Sequence, residues 1–211
     1  MDISASILDI KLSSLASELR SIATTDRVHL DIMDGHFVPH VTFRAASLIG
    51  IPFPVECEAH LMVNDPETFF PEFLSLGVSG IIFHIENTGE KKALALLKHL
   101  HEKNIRAGIC IDGCTDDAQL SNTLLEMADQ VLVMSVKAGK GGQSFQTESL
   151  GKIQRLRERG FKREIEVDGG VNLDNAADIK KAGADRVVVG SFLMRKALEE
   201  RAKIIEAFHK I

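Results

Sequence analysis

The stretch VHLDIMDGHFVPH, residues 28–40, sets His29 and Asp31 two positions apart inside an apolar run. Val28, Leu30 and Ile32 alternate with His29, Asp31 and Met33, so an extended chain turns an imidazole and a carboxylate to one face. Polar groups also end other short β-branched runs: Ser6, His60, His84 with Glu86, Ser135, Asp168, and Gly190 with Ser191. Two neighbouring ligands would come from His29 and Asp31, and the rest from His60 and Asp168. Such an N2O2 set suits one borderline divalent cation, Zn2+ first, with Mn2+, Fe2+ or Co2+ as competitors. Taken singly, a strand histidine is more often a hydrogen-bonded core residue and a strand-end aspartate a cap. The weight lies in four such groups closing three strands.

Glycines carry a second chemistry. VKAGKGGQSF follows the sixth run, DGGV the seventh, and VVGSF closes the eighth. Glycine lets backbone N–H groups approach an anion closely, and a following helix adds its dipole. The formal net charge of -5 makes such a local site necessary for any anionic substrate. The same charge, with no Trp or Tyr to stack on bases, argues against a nucleic-acid partner.

These groups need elements to hold them. Eight runs read as strands: 3–8, 28–33, 55–61, 80–85, 106–111, 130–136, 163–169 and 186–191. Amphipathic stretches lie between them, among them EKKALALLKHLHEK, where Ala93, Leu94, Leu97 and Leu100 share a helical face. LGVSGIIFH, MADQVLVMS and AGADRVVVGS echo one another, each with a small or acidic residue just before an apolar strand. Eight βα units of roughly 26 residues fit a small (β/α)8 TIM barrel of the α/β class. An open doubly wound sheet would alternate too, but no G-x-G-x-x-G follows the first strand. No linker or low-complexity tract breaks the chain, so residues 1–211 read as a single barrel domain. The ends of barrel strands and the loops after them are where ligands bind.

Cys57, Cys110 and Cys114 form no zinc-ribbon pattern and read as reduced cysteines of a cytoplasmic protein. The N-terminus MDISASILDIKL lacks the pattern of a signal peptide, and no apolar run reaches the ~20 residues that span a bilayer.

The motifs HLDIMDGHFVP, HLMV, MSVKAGKGGQSF, EVDGGV and AGADRVVVGS, in this order along nearly the whole chain, resemble the ribulose-phosphate 3-epimerase family. The resemblance implies a (β/α)8 barrel and a sugar-phosphate substrate. It implies that His29, Asp31, His60 and Asp168 bind one divalent metal ion and that Asp31 and Asp168 are the acid and base. Ser6 falls where the family contacts substrate, with His60 beside it. Gly139, Lys140, Gly141 and Gly142 align with the flexible loop over the substrate, and Gly169, Gly170, Gly190 and Ser191 with the phosphate-binding positions. A homo-oligomer is also implied, its number left open. The chain departs from the family in its loops. KAGKGGQ stands for NPGFGGQ, DGCTD for NPATP, His40 for an asparagine and Ala5 for a proline.

Epimerisation at C3 of a ketose removes a proton next to the C2 carbonyl and returns one to the opposite face. That needs an electrophile for the developing negative charge and one proton-transfer group on each side of a flat intermediate. D-Ribulose 5-phosphate and D-xylulose 5-phosphate are the favoured pair, and the altered loops leave D-allulose 6-phosphate open. A metal-free decarboxylase is disfavoured, since LDIMDG has Met33 where a D-x-K-x-x-D pattern has lysine. A non-catalytic sugar-phosphate sensor would have little need for both aspartates. His84 and Glu86 read equally as support for a ligand or as a polar pair closing the barrel end. Met33 and Met62 could cap a flat intermediate, although a core role is commoner. Lys137 and Lys140 could add charge over a phosphate, although loop lysines are usually solvated.

Overall fold

The β-branched runs form eight parallel strands that close on themselves: β1 (Asp2–Ser6), β2 (Arg27–Met33), β3 (Glu56–Met62), β4 (Gly80–His84), β5 (Arg106–Ile111), β6 (Gln130–Met134), β7 (Glu164–Asp168) and β8 (Arg186–Val189). This is a (β/α)8 TIM barrel. The computed structural model describes the backbone of residues 1–211 and the side chains of all but Leu12. Around the barrel lie α1 (Leu15–Ser21), α2 (Phe70–Leu76), α3 (Ile85–Glu102), α4 (Asn122–Met127), α5 (Glu148–Glu158), α6 (Ala176–Ala182), α7 (Ser191–Met194) and α8 (Leu198–His209). Their placement is uneven. A 3-10 turn, Ala45–Leu48, stands in for a helix between β2 and β3, where Gly50, Pro52 and Pro54 oppose a longer one. Two helices follow β8 instead. Among the described residues no helix is long and apolar enough to cross a membrane. Cys57 and Cys110 are buried and Cys114 exposed, all three free.

Every residue of β2 is buried, because both faces of a barrel strand are covered. Val28, Leu30 and Ile32 join the apolar layer between strands and helices, while His29 and Asp31 turn to the barrel axis. In α3 the buried stripe is Ala93, Leu96, Leu97 and Leu100, with Leu94 only partly buried. Leu94 packs against the core at the edge of that stripe, and Leu96 completes it. The echoed motifs have a shared purpose. Asp129 and Asp185 of these motifs, and Asp26 just before β2, accept the N–H of the second residue of the preceding strand, from Ala107 (3.0 Å), Ile165 (2.8 Å) and Ile3 (2.8 Å). Ser79 does related work by donating to the carbonyl of Cys57 at 3.0 Å.

The lower barrel interior is polar. Arg27 Nη1 donates to Glu58 and to Glu164, both at 2.8 Å. Gln130 Nε2 bridges Glu58 (3.2 Å) and Glu166 (2.6 Å), and Ser4 Oγ donates to Glu166 at 2.6 Å. Burial and the Glu58 charge push the Glu166 carboxyl up to about 8, so it keeps its proton at neutral pH. Burial works on Glu58 in the same direction, but the His29 hydrogen bond and the Arg27 guanidinium outweigh it and hold Glu58 far below the usual carboxylate range. Arg27→Ala is therefore expected to destabilise the fold by about 3–5 kcal/mol, because it strands buried carboxylate charge. Urea unfolding checks this, and a loss below about 1 kcal/mol would mean the layer carries little net charge.

Candidate active site

Strand register assembles the site. Asp31 on β2 lies beside His60 on β3, and Ser6 on β1 beside His29. Barrel closure then brings Asp168 of β7 to the same point, and the ligating atoms of His29, Asp31, His60 and Asp168 all lie within 4.8 Å of one another. His29 Nε2 is 3.3 Å from His60 Nδ1. Asp31 Oδ1 is 3.6 Å from the first nitrogen and 3.4 Å from the second. Ligands at ~2.0–2.1 Å from a tetrahedral centre stand about 3.3–3.4 Å apart, so these three atoms are spaced as such a donor set requires.

Hydrogen bonds orient the donors. Glu58 Oε1 faces His29 Nδ1 at 2.9 Å, which places the proton there and aims Nε2 at the site. Ser6 Oγ donates to Asp31 Oδ2 at 2.6 Å. Behind His60 lie His84, Nε2 to Nε2 at 2.9 Å, and Glu86, at 3.0 Å from His84 Nδ1. Gly89, at φ 64°, interrupts α3 one turn after Glu86. Two further clusters, His60–His84–Cys110 and His29–Glu58–Glu166, also group possible ligands. Their nitrogens are engaged in these hydrogen bonds, whereas Asp31 and Asp168 line an open cavity.

The surroundings pull the two aspartates in opposite directions. Burial and the Asp31 charge push the Asp168 carboxyl up to about 7. Burial also acts to raise Asp31, but His29, His60 and the Ser6 hydroxyl prevail and hold it low. Burial disfavours charge on both histidines. It prevails at His60, held down at about 4, and loses at His29, where Asp31 and Glu58 carry the ring up to about 10. The surround thus demands positive charge at this point, which a divalent cation would supply.

The cavity over the aspartates holds about 750 Å³. Ser6, Gly139, Lys140, Gly141 and Gly142 line it, as do Gly169, Gly170, Gly190 and Ser191, and Met33 and Met62 form part of its floor. His29 and His60 lie behind the wall, without exposed surface. Lys137 lies outside it and is exposed, while its carbonyl and that of Lys140 accept from Gln143 Nε2 at 2.8 Å. Gly170 sits at φ 62°, and a Cβ there would come within 2.3 Å of the Phe145 nitrogen. Gly170→Ala is expected to push the loop after β6 off the cavity and raise KM at least about tenfold, read from steady-state kinetics. An unchanged KM would show that the loop tolerates the shift.

Several contributors escaped the sequence reading. Glu58 and Glu166 sit two residues before His60 and Asp168, so period-two alternation alone puts them on the ligand face. Asp9, which accepts from Ser191 Oγ at 2.6 Å, and the cavity-lining Arg195 and Lys196 gave no such signal.

The sequence profile of the ribulose-phosphate 3 epimerase family matches residues 2–194. A ribulose-phosphate 3-epimerase of Aquifex aeolicus (strain VF5) is 38% identical over 173 residues, covering 79% of this chain and 76% of its own. That of Escherichia coli (strain K12) is 34% identical over 226 residues, covering 99% and 98%. Among solved structures, a chain of the tryptophan synthase complex of Pyrococcus furiosus superimposes with a TM-score of 0.71 at 18% identity, covering 100% and 98%. Thiamine phosphate pyrophosphorylase of the same organism gives 0.60 at 16%, covering 98% and 96%. Likeness at that identity speaks to the barrel alone. The profile, which runs from β1 into α7, and relatives at 34–38% identity speak to descent: the chain belongs to the ribulose-phosphate 3-epimerase family, isomerases that act on carbohydrates.

Proposed function

We propose that the protein interconverts D-ribulose 5-phosphate and D-xylulose 5-phosphate by inversion at C3, with Asp31 and Asp168 as the proton-transfer pair. The observation that carries this is a pair of carboxylates, Asp31 of β2 and Asp168 of β7, that converge on the wall of a glycine-lined cavity. Two such groups from different strands supply a proton acceptor and a proton donor. Asp31 Oδ2, turned from the histidines and steadied by Ser6, accepts the C3 proton in one direction. Asp168 delivers a proton to the opposite face, and the roles exchange in the reverse direction. His29, Asp31, His60 and Asp168 would hold one divalent ion, Zn2+ in this reading. When bound, the ion supplies Lewis-acid stabilisation of negative charge on the substrate oxygens.

Gly170, Gly190 and Ser191 line the same cavity with the cationic Lys140 and Arg195, and their backbone N–H groups would suit a phosphate. The enzyme would work in the cytoplasm as a homo-oligomer, as the family membership suggests. A second reading keeps the chemistry and enlarges the substrate: a cavity of about 750 Å³ has room for a hexulose phosphate such as D-allulose 6-phosphate. One assay separates the two. Purified protein is given each phosphate, and C3 epimer formation is followed by NMR. Faster turnover of ribulose 5-phosphate supports the first reading, faster turnover of allulose 6-phosphate the second, and no turnover of either refutes both.

A further inference from the structure

The side of His60 that faces away from the proposed cation site leads to two residues without a part in the epimerisation scheme. His60 and His84 meet nitrogen to nitrogen at 2.9 Å, with ring planes only 21° apart, the edge-to-edge geometry of an in-plane N–H···N bond. The next contact is His84 Nδ1 to Glu86 Oε2 at 3.0 Å. Glu86 Oε1 accepts the backbone N–H of Asp112 at 2.6 Å, so both carboxylate oxygens are engaged as acceptors. Both imidazoles are fully buried, and no bulk water can exchange roles with these partners.

The direction of this chain determines which nitrogen of His60 is free. An ionised carboxylate is acceptor-only, so the His84 proton sits on Nδ1. In the neutral ring His84 Nε2 is then bare, and the proton between the two rings belongs to His60 Nε2. That leaves His60 Nδ1 unprotonated, and Nδ1 is the atom 3.3 Å from His29 Nε2 and 3.4 Å from Asp31 Oδ1. The opposite order would put a hydrogen where a cation must sit.

We infer that Glu86 and His84 are positioning residues: the chain Glu86–His84–His60 holds His60 as its Nε2–H tautomer and so opens Nδ1 to a metal ion. The inference rests on the reading of His60 as a ligand. Asp112 ties the far end of this chain to the loop over the cavity, because its side chain also accepts the backbone N–H of Ala138 at 2.8 Å.

Glu86→Gln tests it at constant shape. An amide has one acceptor oxygen, so it cannot serve both the Asp112 N–H and the His84 Nδ1–H. Chelator competition is expected to show a Zn2+ dissociation constant about 10–100-fold higher than that of the wild type. Independently of any variant, 15N NMR of the metal-free wild type is expected to find the protons on His60 Nε2 and His84 Nδ1. A proton on His60 Nδ1, or an unshifted Zn2+ constant in Glu86→Gln while the wild type binds Zn2+, overturns this inference alone. A wild type that binds no Zn2+ overturns the ligand set and this inference with it.

Discussion

Asp168→Asn is expected to lower kcat for C3 epimerisation by about 10²–10⁴-fold, and Asp31→Asn by a similar factor, with the barrel intact. Inversion needs a proton donor and a proton acceptor on opposite faces, and an amide can be neither. Asp31 and Asp168 come from strands on either side of the β8–β1 pair, which lets them flank a substrate rather than stack on one side. Each variant keeps one carboxylate. It should therefore still exchange the C3 hydrogen of one epimer with deuterated solvent while failing to form the other. Because both aspartates are also proposed ligands, the comparison is made at matched metal content. Wild-type-like turnover from either variant would refute the two-base scheme. Loss of exchange from both epimers in both variants would assign the residues to metal binding alone.

Removal of the cation should act on a similar scale. Stripping with a chelator is expected to cut turnover at least about 10³-fold, equivalent to several kcal/mol of lost charge stabilisation, and added Zn2+ should restore it. The physical ground is the crowding of charge: without a cation, Asp31 and Glu58 carry the His29 ring up to about 10, so a proton fills the role. A proton on His29 Nε2 cannot be shared among four donors, and it leaves Asp168 to hold one of its own. Metal binding should therefore release protons near neutral pH, measurable by calorimetry in buffers of different ionisation enthalpy. Full activity after stripping, with the metal content confirmed at zero, would show that the carboxylates and backbone dipoles suffice.

Much of this was legible in the order of residues. Period-two alternation in residues 28–33 put His29 and Asp31 on one face, and the structure points that face at the barrel axis. The run of βα units, the absence of a dinucleotide-type glycine motif and the glycines after strands six to eight specified a closed barrel with a lined mouth, since each is a local property of the chain. The helix between β2 and β3 was not legible as missing, although Gly50, Pro52 and Pro54 explain it. On α3, helical periodicity placed Leu94 one step off the stripe that Leu96 completes.

What needed the tertiary structure was every relation between strands. Alternation says which face a side chain takes, but not its height along the axis or its neighbour across the barrel. Register and closure decide those, and they pair Asp31 with His60, bring Asp168 from 137 positions away, and set His84 against the far side of His60. The same closure stacks Glu58, Glu166 and Arg27 beneath the site, where the His29 hydrogen bond and Arg27 hold Glu58 low while burial and the Glu58 charge raise Glu166, although the two look alike in sequence. Charge state inside a barrel depends on distance and desolvation, and both arise only when the ring of strands is complete.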